Sequence, residues 1–218
     1  MKFATAKYSA TKRHIKHSHS TYIDRSGLLW IGTKIEELKD VLYTTNNQDQ
    51  IKYFNSFLDA PIAITIQGAW FANVNRLRCY NASLNQSTHY LLPVASQNEY
   101  PDLIHSKIKD SSGNIWLGTT DGLLSFNLAE KKWTTYRNKL NDSSSISSNL
   151  IFSLCLDSLQ PKKYLWVCTG GNGLNRMDMQ TGKCISYLMK DGLSNRVIYG
   201  ILHDNNGNLW MSTNKGLS

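Results

Sequence analysis

A tryptophan returns along this chain at a nearly constant interval, and a fixed period constrains a fold more tightly than composition can. Three stretches align on it without gaps: Asp24-Arg-Ser-Gly27-Leu-Leu-Trp30-Ile-Gly-Thr33, Asp110-Ser-Ser-Gly113-Asn-Ile-Trp116-Leu-Gly-Thr119 and Asp204-Asn-Asn-Gly207-Asn-Leu-Trp210-Met-Ser-Thr213. A fourth runs from Asp157 to Trp166-Val-Cys-Thr169, with three extra residues between its Asp and its Trp. A degenerate fifth copy, Ile62-Ala-Ile-Thr-Ile-Gln67-Gly-Ala-Trp70, lacks the Asp-x-x-Gly turn. Successive tryptophans stand 40, 46, 50 and 44 residues apart, a regularity that chance does not produce.

Within one period the residues read as short strands and tight turns. Leu150–Leu156 is a short apolar run ending at a turn signal, which suits a buried strand. In Asp-x-x-Gly-Asn the Asp bonds its own backbone and the Gly supplies a positive φ. Residues 165–169, 173–178 and 183–188 supply three more strands, with Thr181-Gly182 turning between the last two. A helical repeat of this length would space its apolar residues by three and four, and these segments do not. Four antiparallel strands and a Trp per period predict an all-β chain of β-propeller blades. The blades are expected at 16–58, 60–95 (degenerate), 102–138 and 149–190, with a truncated blade at 197–218. Residues 2–8 resemble the fourth strand Lys132-Trp133-Thr134-Thr135-Tyr136, so the segment 1–15 is expected to include an outer strand of a preceding blade. Two arrangements stay open: a partial ring cut from a larger propeller, or a five-bladed ring closed by pairing residues 2–8 with 197–218.

The charge narrows the partners. Of the formal net charge of +8, five basic residues fall within residues 1–19, which hold no acid. That stretch shows no nucleic-acid motif, so no nucleic-acid partner is expected and a solvated terminus accounts for it. No segment approaches the roughly 18 consecutive apolar residues of a membrane helix, and Met1–Lys7 lacks the apolar core of a signal peptide. Any export signal is therefore expected outside this chain. Cys79, Cys155, Cys168 and Cys184 have neither CxxC spacing nor suitably placed His neighbours, so no metal is expected. Cys155 and Cys168 are equidistant from the middle of one hairpin and could face each other, either as two buried free thiols or as a cross-strand disulfide.

The string Asp110–Thr119 followed by Asp121-Gly-Leu-Leu-Ser-Phe126 resembles the two-component regulator propeller repeat. So do Gly173-Leu-Asn-Arg-Met-Asp-Met-Gln-Thr-Gly-Lys183 and Gly192-Leu-Ser-Asn195-Arg-Val197. The matches recur in register through most of residues 20–218. The best-known proteins with such repeats are hybrid two-component sensors of gut Bacteroidetes. The resemblance implies a segment of a seven-bladed propeller in a periplasmic domain that detects oligosaccharides. It also implies a homodimeric parent whose remaining blades, membrane helix and histidine kinase lie outside this chain. Nothing here matches a kinase, a phosphoacceptor His box or a receiver, so this chain itself is expected to be non-enzymatic, with no catalytic residue and no cofactor.

Candidate binding residues lie where the repeat varies. Five positions before each turn Asp stand His19, His105, Phe152 and Tyr199, rings at one structural position near the start of the first strand. They can form a stacking platform for sugar rings, or they can pack blade against blade. Three positions earlier on the same edge are Lys16, Asp102, Asn149 and Arg196, and the loops after the Trp strands hold Lys34, Asp121, Asn172 and Lys215. All can hydrogen-bond hydroxyl or carboxylate groups. The slight basic excess favours an acidic oligosaccharide over a neutral one. Gly170-Gly171-Asn172-Gly173 is not a phosphate loop, since it joins two strands and no helix follows. Trp30, Trp70, Trp116, Trp166 and Trp210 are read as core, and Asp24, Asp110, Asp157 and Asp204 as turn formers without the ligand pattern of calcium. Two other functions compete: a propeller lyase, for which His105 and His203 are the candidate bases, and a scaffold for protein partners.

Overall fold

In a computed structural model the chain divides into two compact units, Met1–Pro61 and Ile62–Ser218. The structure describes the strand backbones between residues 18 and 55 in the first unit. In the second it describes all residues except 66–67, 74–75, 82–83, 85, 94–103 and 205. Segment 1–15 and the candidates Lys16, Asp24, Lys34 and Asp102 lie outside the described residues, and of His19 and Trp30 only the backbone is described.

The first unit contains one antiparallel sheet with strands in chain order: β1 (Ser18–Ile23), β2 (Leu29–Thr33), β3 (Asp40–Thr45) and β4 (Gln48–Asn55). The second repeats that plan. Its first sheet comprises β5 (Ala63–Thr65), β6 (Gly68–Asn73), β7 (Arg76–Asn81) and β8 (Gln86–Leu91). Its second comprises β9 (Ile104–Lys109), β10 (Asn114–Thr119), β11 (Gly122–Asn127) and β12 (Lys132–Tyr136). Its third comprises β13 (Ile151–Leu156), β14 (Tyr164–Thr169), β15 (Leu174–Asp178) and β16 (Cys184–Tyr187). The last sheet has three strands, β17 (Ile198–His203), β18 (Leu209–Thr213) and β19 (Gly216–Leu217). Four-stranded meanders of this kind are propeller blades.

Side-chain alternation gives each sheet of the second unit two faces, and there the Trp-bearing face of one packs against the opposite face of the next. Trp70, Leu77 and Cys79 share a core with Ile115, Leu117, Leu124 and Phe126. Trp116 and Leu123 share another with Ile151, Leu154, Leu165, Val167 and Met177. Cys168 and Leu174 meet Ile198 and Ile201, with Trp166 half-buried beside them. Trp70 and Trp116 are fully buried, but Trp210 is 47% exposed. This corrects the expectation that every blade Trp is interior. Trp210 stands opposite Leu202, on a face that no later sheet of this chain covers.

The repeat motif is a hydrogen-bonding device. One oxygen of Asp110 accepts the backbone N–H of Asn114, and the other accepts Asn114 Nδ2 and the indole N–H of Trp116, each at 2.8 Å. Asp204 does the same for Asn208 and Trp210, with the indole at 3.2 Å. The carboxylate thus ties the turn to the core ring. The degenerate first sheet of the second unit substitutes Thr65 Oγ1, which accepts the Trp70 indole N–H at 3.1 Å. The Asp157 turn departs from the motif. With three residues inserted, its carboxylate pairs with Arg176 at 3.0 Å instead of an indole, and that guanidinium lies over the Tyr164 ring at 3.9 Å. The motif's final Thr caps the next turn: Thr119 donates to Gly122 O at 2.9 Å, Thr169 to Gly173 O at 2.8 Å and Thr213 to Gly216 O at 3.1 Å. At Gly122, φ is +116° and a Cβ would lie 2.6 Å from the Tyr136 carbonyl, so only glycine fits.

The hairpin register also corrects the reading of Cys155 and Cys168 as facing each other. Asp157 N donates to Tyr164 O at 3.0 Å and closes the turn there. Cys155 therefore pairs with Trp166 and Cys168 with Ser153, which leaves the two sulfurs on diagonal positions. Both are buried free thiols, and burial pushes their pKa values up and keeps them protonated.

Two outcomes follow. Trp116→Ala should lower unfolding free energy in urea by about 3–5 kcal/mol, whereas Trp210→Ala should cost about 1 kcal/mol or less. Equal losses would contradict the packing described. The Asp204 carboxyl is held down to about 2 by the Asn208 side chain, then by the Asn208 backbone and, more weakly, by the Trp210 indole. A lowered folded-state pKa contributes stability that is present above the ordinary carboxyl range and is lost as pH falls toward 2. The Trp210 indole N–H resonance should therefore titrate with a midpoint near pH 2, and a midpoint near 4, the ordinary carboxyl range, would contradict the bonds from Asn208 and Trp210 to this carboxylate.

Candidate functional site

At one end of the sheets the register breaks at a single residue, and the same break recurs. Ser18 pairs with Thr33 and Ser20 with Gly32, which leaves His19 unpaired. Ile104 pairs with Thr119 and Ser106 with Gly118, which leaves out His105. Ile151 pairs with Thr169 and Ser153 with Cys168, around Phe152. Ile198 pairs with Thr213 and Gly200 with Ser212, around Tyr199. A β-bulge of this kind bends its strand and re-aims the extra side chain, and bulges concentrate beside binding and active sites. The four ring positions are therefore bulge residues, a property that the spacing alone did not reveal.

In the second unit the bulges bring three rings together. The edge strands β9, β13 and β17 lie alongside one another, and Leu154 N donates to Ser106 Oγ across the first junction at 3.0 Å. The His105 ring meets Phe152 edge-on at 5.4 Å between centroids. Phe152 in turn stacks on Tyr199 at 5.4 Å, with 19° between the planes. His105 and Tyr199 are exposed and Phe152 is half-buried. Desolvation lowers the His105 pKa, so the imidazole is neutral at pH 7. The Tyr199 hydroxyl donates to Asn214 Oδ1 at 2.8 Å, which fixes the ring's tilt. Phe152 lies over the β14–β15 loop, where a Cβ on Gly170 would come within 2.9 Å of its Cε2. Gly170 and Asn214 were missed as parts of this site. Asn214 sits fifteen residues from Tyr199, in a turn whose equivalent in the second sheet carries Thr120.

The polar candidates divide sharply. Asp121 forms an ion pair with Arg137 at 2.7 Å, so its carboxylate anchors the chain where it leaves β12. Asn149 Oδ1 accepts Asn138 N at 2.7 Å, and Asn172 Nδ2 donates to Ser147 O at 2.7 Å. These three hold the 137–150 linker in place. Arg196 and Lys215 are exposed, and among the described residues their side chains make no hydrogen bond or ion pair. His203 lies at the far end of β17, about 13 Å along the strand from Tyr199. His105 and His203 therefore do not share a site, as two residues of one lyase centre would need to.

Residues 192–215 match the family model described as the two component regulator propeller. The chain thus carries a repeat of that type, spanning the Tyr199 bulge and the Asp204 turn. No curated protein matches the sequence. Among solved structures, the fold is similar to the extracellular domain of a hybrid two component system from B. thetaiotaomicron, with TM-score 0.66 and 20% identity over 92% of this chain and 26% of that one. A second such domain from the same organism gives TM-score 0.64 and 21% identity over 97% of this chain and 27% of that one. Virginiamycin B lyase from Staphylococcus aureus is also similar, with TM-score 0.63 and 15% identity over 94% of this chain and 70% of that one. At such identities these likenesses establish the propeller fold. The chain spans about a quarter of the length of the first two structures.

The ring contacts predict a measurable coupling. In a double-mutant cycle of Phe152→Leu and Tyr199→Leu, urea unfolding should give an interaction energy of about 1 kcal/mol. Strict additivity would show that the two rings do not form one surface.

Proposed function

We propose that this chain is part of the extracytoplasmic ligand-sensing propeller of a hybrid two-component sensor. Its ligand is an oligosaccharide, and the row His105–Phe152–Tyr199 is where sugar rings stack. The observation that carries this reading is that one backbone device, the bulge, presents a ring at the same place in successive sheets. Packing alone would bury such rings, whereas His105 and Tyr199 keep exposed surface. Aromatic faces suit the apolar C–H faces of sugars, and polar neighbours supply orientation. His105 and Tyr199 each contact Phe152 rather than one another, so the row's two proton-transferring side chains are not set as an acid–base pair, which supports a binding role over a catalytic one.

The sensor reading also assigns partners. Further blades of a parent protein complete the propeller, and support for that comes from the exposed apolar face of Leu202, Trp210 and Leu217. The same face is covered by the following sheet at Trp70 and Trp116. Ligand binding is then passed through a homodimeric parent domain in the periplasm to a histidine kinase outside this chain.

Isothermal titration of the chain against a panel of oligosaccharides should find at least one ligand, with Phe152→Ala weakening it by about tenfold or more. Absence of binding across the panel, or a Phe152→Ala protein that binds as well as the wild type, would sink the assignment.

A further inference from the structure

We infer that the ring row selects anionic oligosaccharides, those bearing carboxylate or sulfate groups, and that Arg196 and Lys215 read the charge. This rests on the oligosaccharide reading and adds the chemistry that stacking lacks, because an aromatic face does not by itself distinguish an acidic sugar from its neutral analogue.

The fold brings both cations to the Phe152–Tyr199 pair. Val197 bridges to Gly170, the residue over which Phe152 lies, and Arg196 O accepts Gly173 N at 2.8 Å. The backbone of Arg196 is thereby fixed against the loop beneath Phe152. On the other side, Lys215 follows Asn214, the acceptor of the Tyr199 hydroxyl, and its backbone N–H is held by Thr213 Oγ1 at 3.1 Å. Hydrogen-bonded backbone thus holds Arg196 at the loop beneath Phe152 and Lys215 beside the acceptor of the Tyr199 hydroxyl, and among the described residues neither side chain makes a hydrogen bond or ion pair. Other polar groups at this end already have fold partners: Asp121 is paired with Arg137, Asn149 with the linker at Asn138, and Asn172 with Ser147. Asp191, in the linker before β17, accepts Leu188 N at 2.9 Å. Among the described residues, the charge left to meet a ligand at Tyr199 is therefore positive. A guanidinium receives a carboxylate or sulfate through two parallel hydrogen bonds, and an ammonium adds a point charge. Both exposed cations are screened by salt, so the preference should weaken as salt rises.

The test uses the full 218-residue chain and three probes: a galacturonate hexamer, its methyl ester with the same rings and no charge, and a sulfated hexasaccharide. Titration calorimetry at low salt should show at least one charged probe bound about tenfold more tightly than the ester. In R196Q/K215Q that advantage should disappear while the thermal midpoint stays at the wild-type value. In K162Q/K183Q, which removes two exposed cations at the opposite end of the sheets, it should persist. Binding of both charged probes no tighter than that of the ester overturns the charge selectivity and leaves the oligosaccharide reading standing. A preference that survives R196Q/K215Q overturns the assignment to these two residues. No saccharide binding at all overturns both readings together.

Discussion

In the second unit the Trp-bearing faces at Trp70 and Trp116 lie under the following sheet, and the rest of that unit is arranged around this contact. An antiparallel meander of four short strands has two faces, and neither is shielded unless another layer covers it. Trp70 and Trp116 each fill the seam to the following sheet, among Phe126 in one case and Ile151, Leu154 and Val167 in the other. The turn Asp serves the same seam. By accepting the indole N–H of Trp116, Asp110 satisfies a polar group that burial would otherwise leave unpaired, at a cost of about 1–3 kcal/mol. The exposed Trp210 shows the converse: the same motif, the same bond to Asp204, and among the described residues no layer over the ring.

This packing carries over to one end of the sheets through the bulges. Sheets stacked face to face bring their first strands together at one edge, where β9, β13 and β17 run side by side. A regular strand would direct alternate side chains into the seams. One extra residue per strand breaks that alternation and frees a side chain from both seams. His105, Phe152 and Tyr199 occupy that position and touch each other in sequence. The bulge position holds a different ring in each of these strands, His105, Phe152 and Tyr199, because the extra residue is released from the alternation that fixes the seam residues.

Much of the fold was legible because the Asp–Trp bond, the Thr cap and the glycine turn each require a specific residue at a fixed spacing. Departures were legible in part. The insertion after Asp157 was visible, but its replacement partner Arg176 was not, because that contact crosses from a hairpin turn to a third strand. The candidate site followed the same division. The equivalence of the four ring positions came from counting back from the turn Asp. Their bulge geometry left one trace in the sequence: buried Ile151 and Leu154, like Ile198 and Ile201, are three apart where a regular strand spaces them by two.

The amino-acid sequence by itself determined the repeat, the strand-and-turn chemistry of each period and the list of residues free to vary, because these depend on local spacing. Only the tertiary structure decided which of those residues remain available. Asp121, Asn149 and Asn172 were equal candidates with Arg196 and Lys215 in the sequence, yet partners across the linker at Arg137, Asn138 and Ser147 engage the first three. It also decided that Cys155 and Cys168 stand diagonally, since the turn closing at Asp157 and Tyr164 sets the register. The physical reason is the same in each case: a hydrogen bond or ion pair between residues distant in the chain exists only once the sheets that carry them have packed.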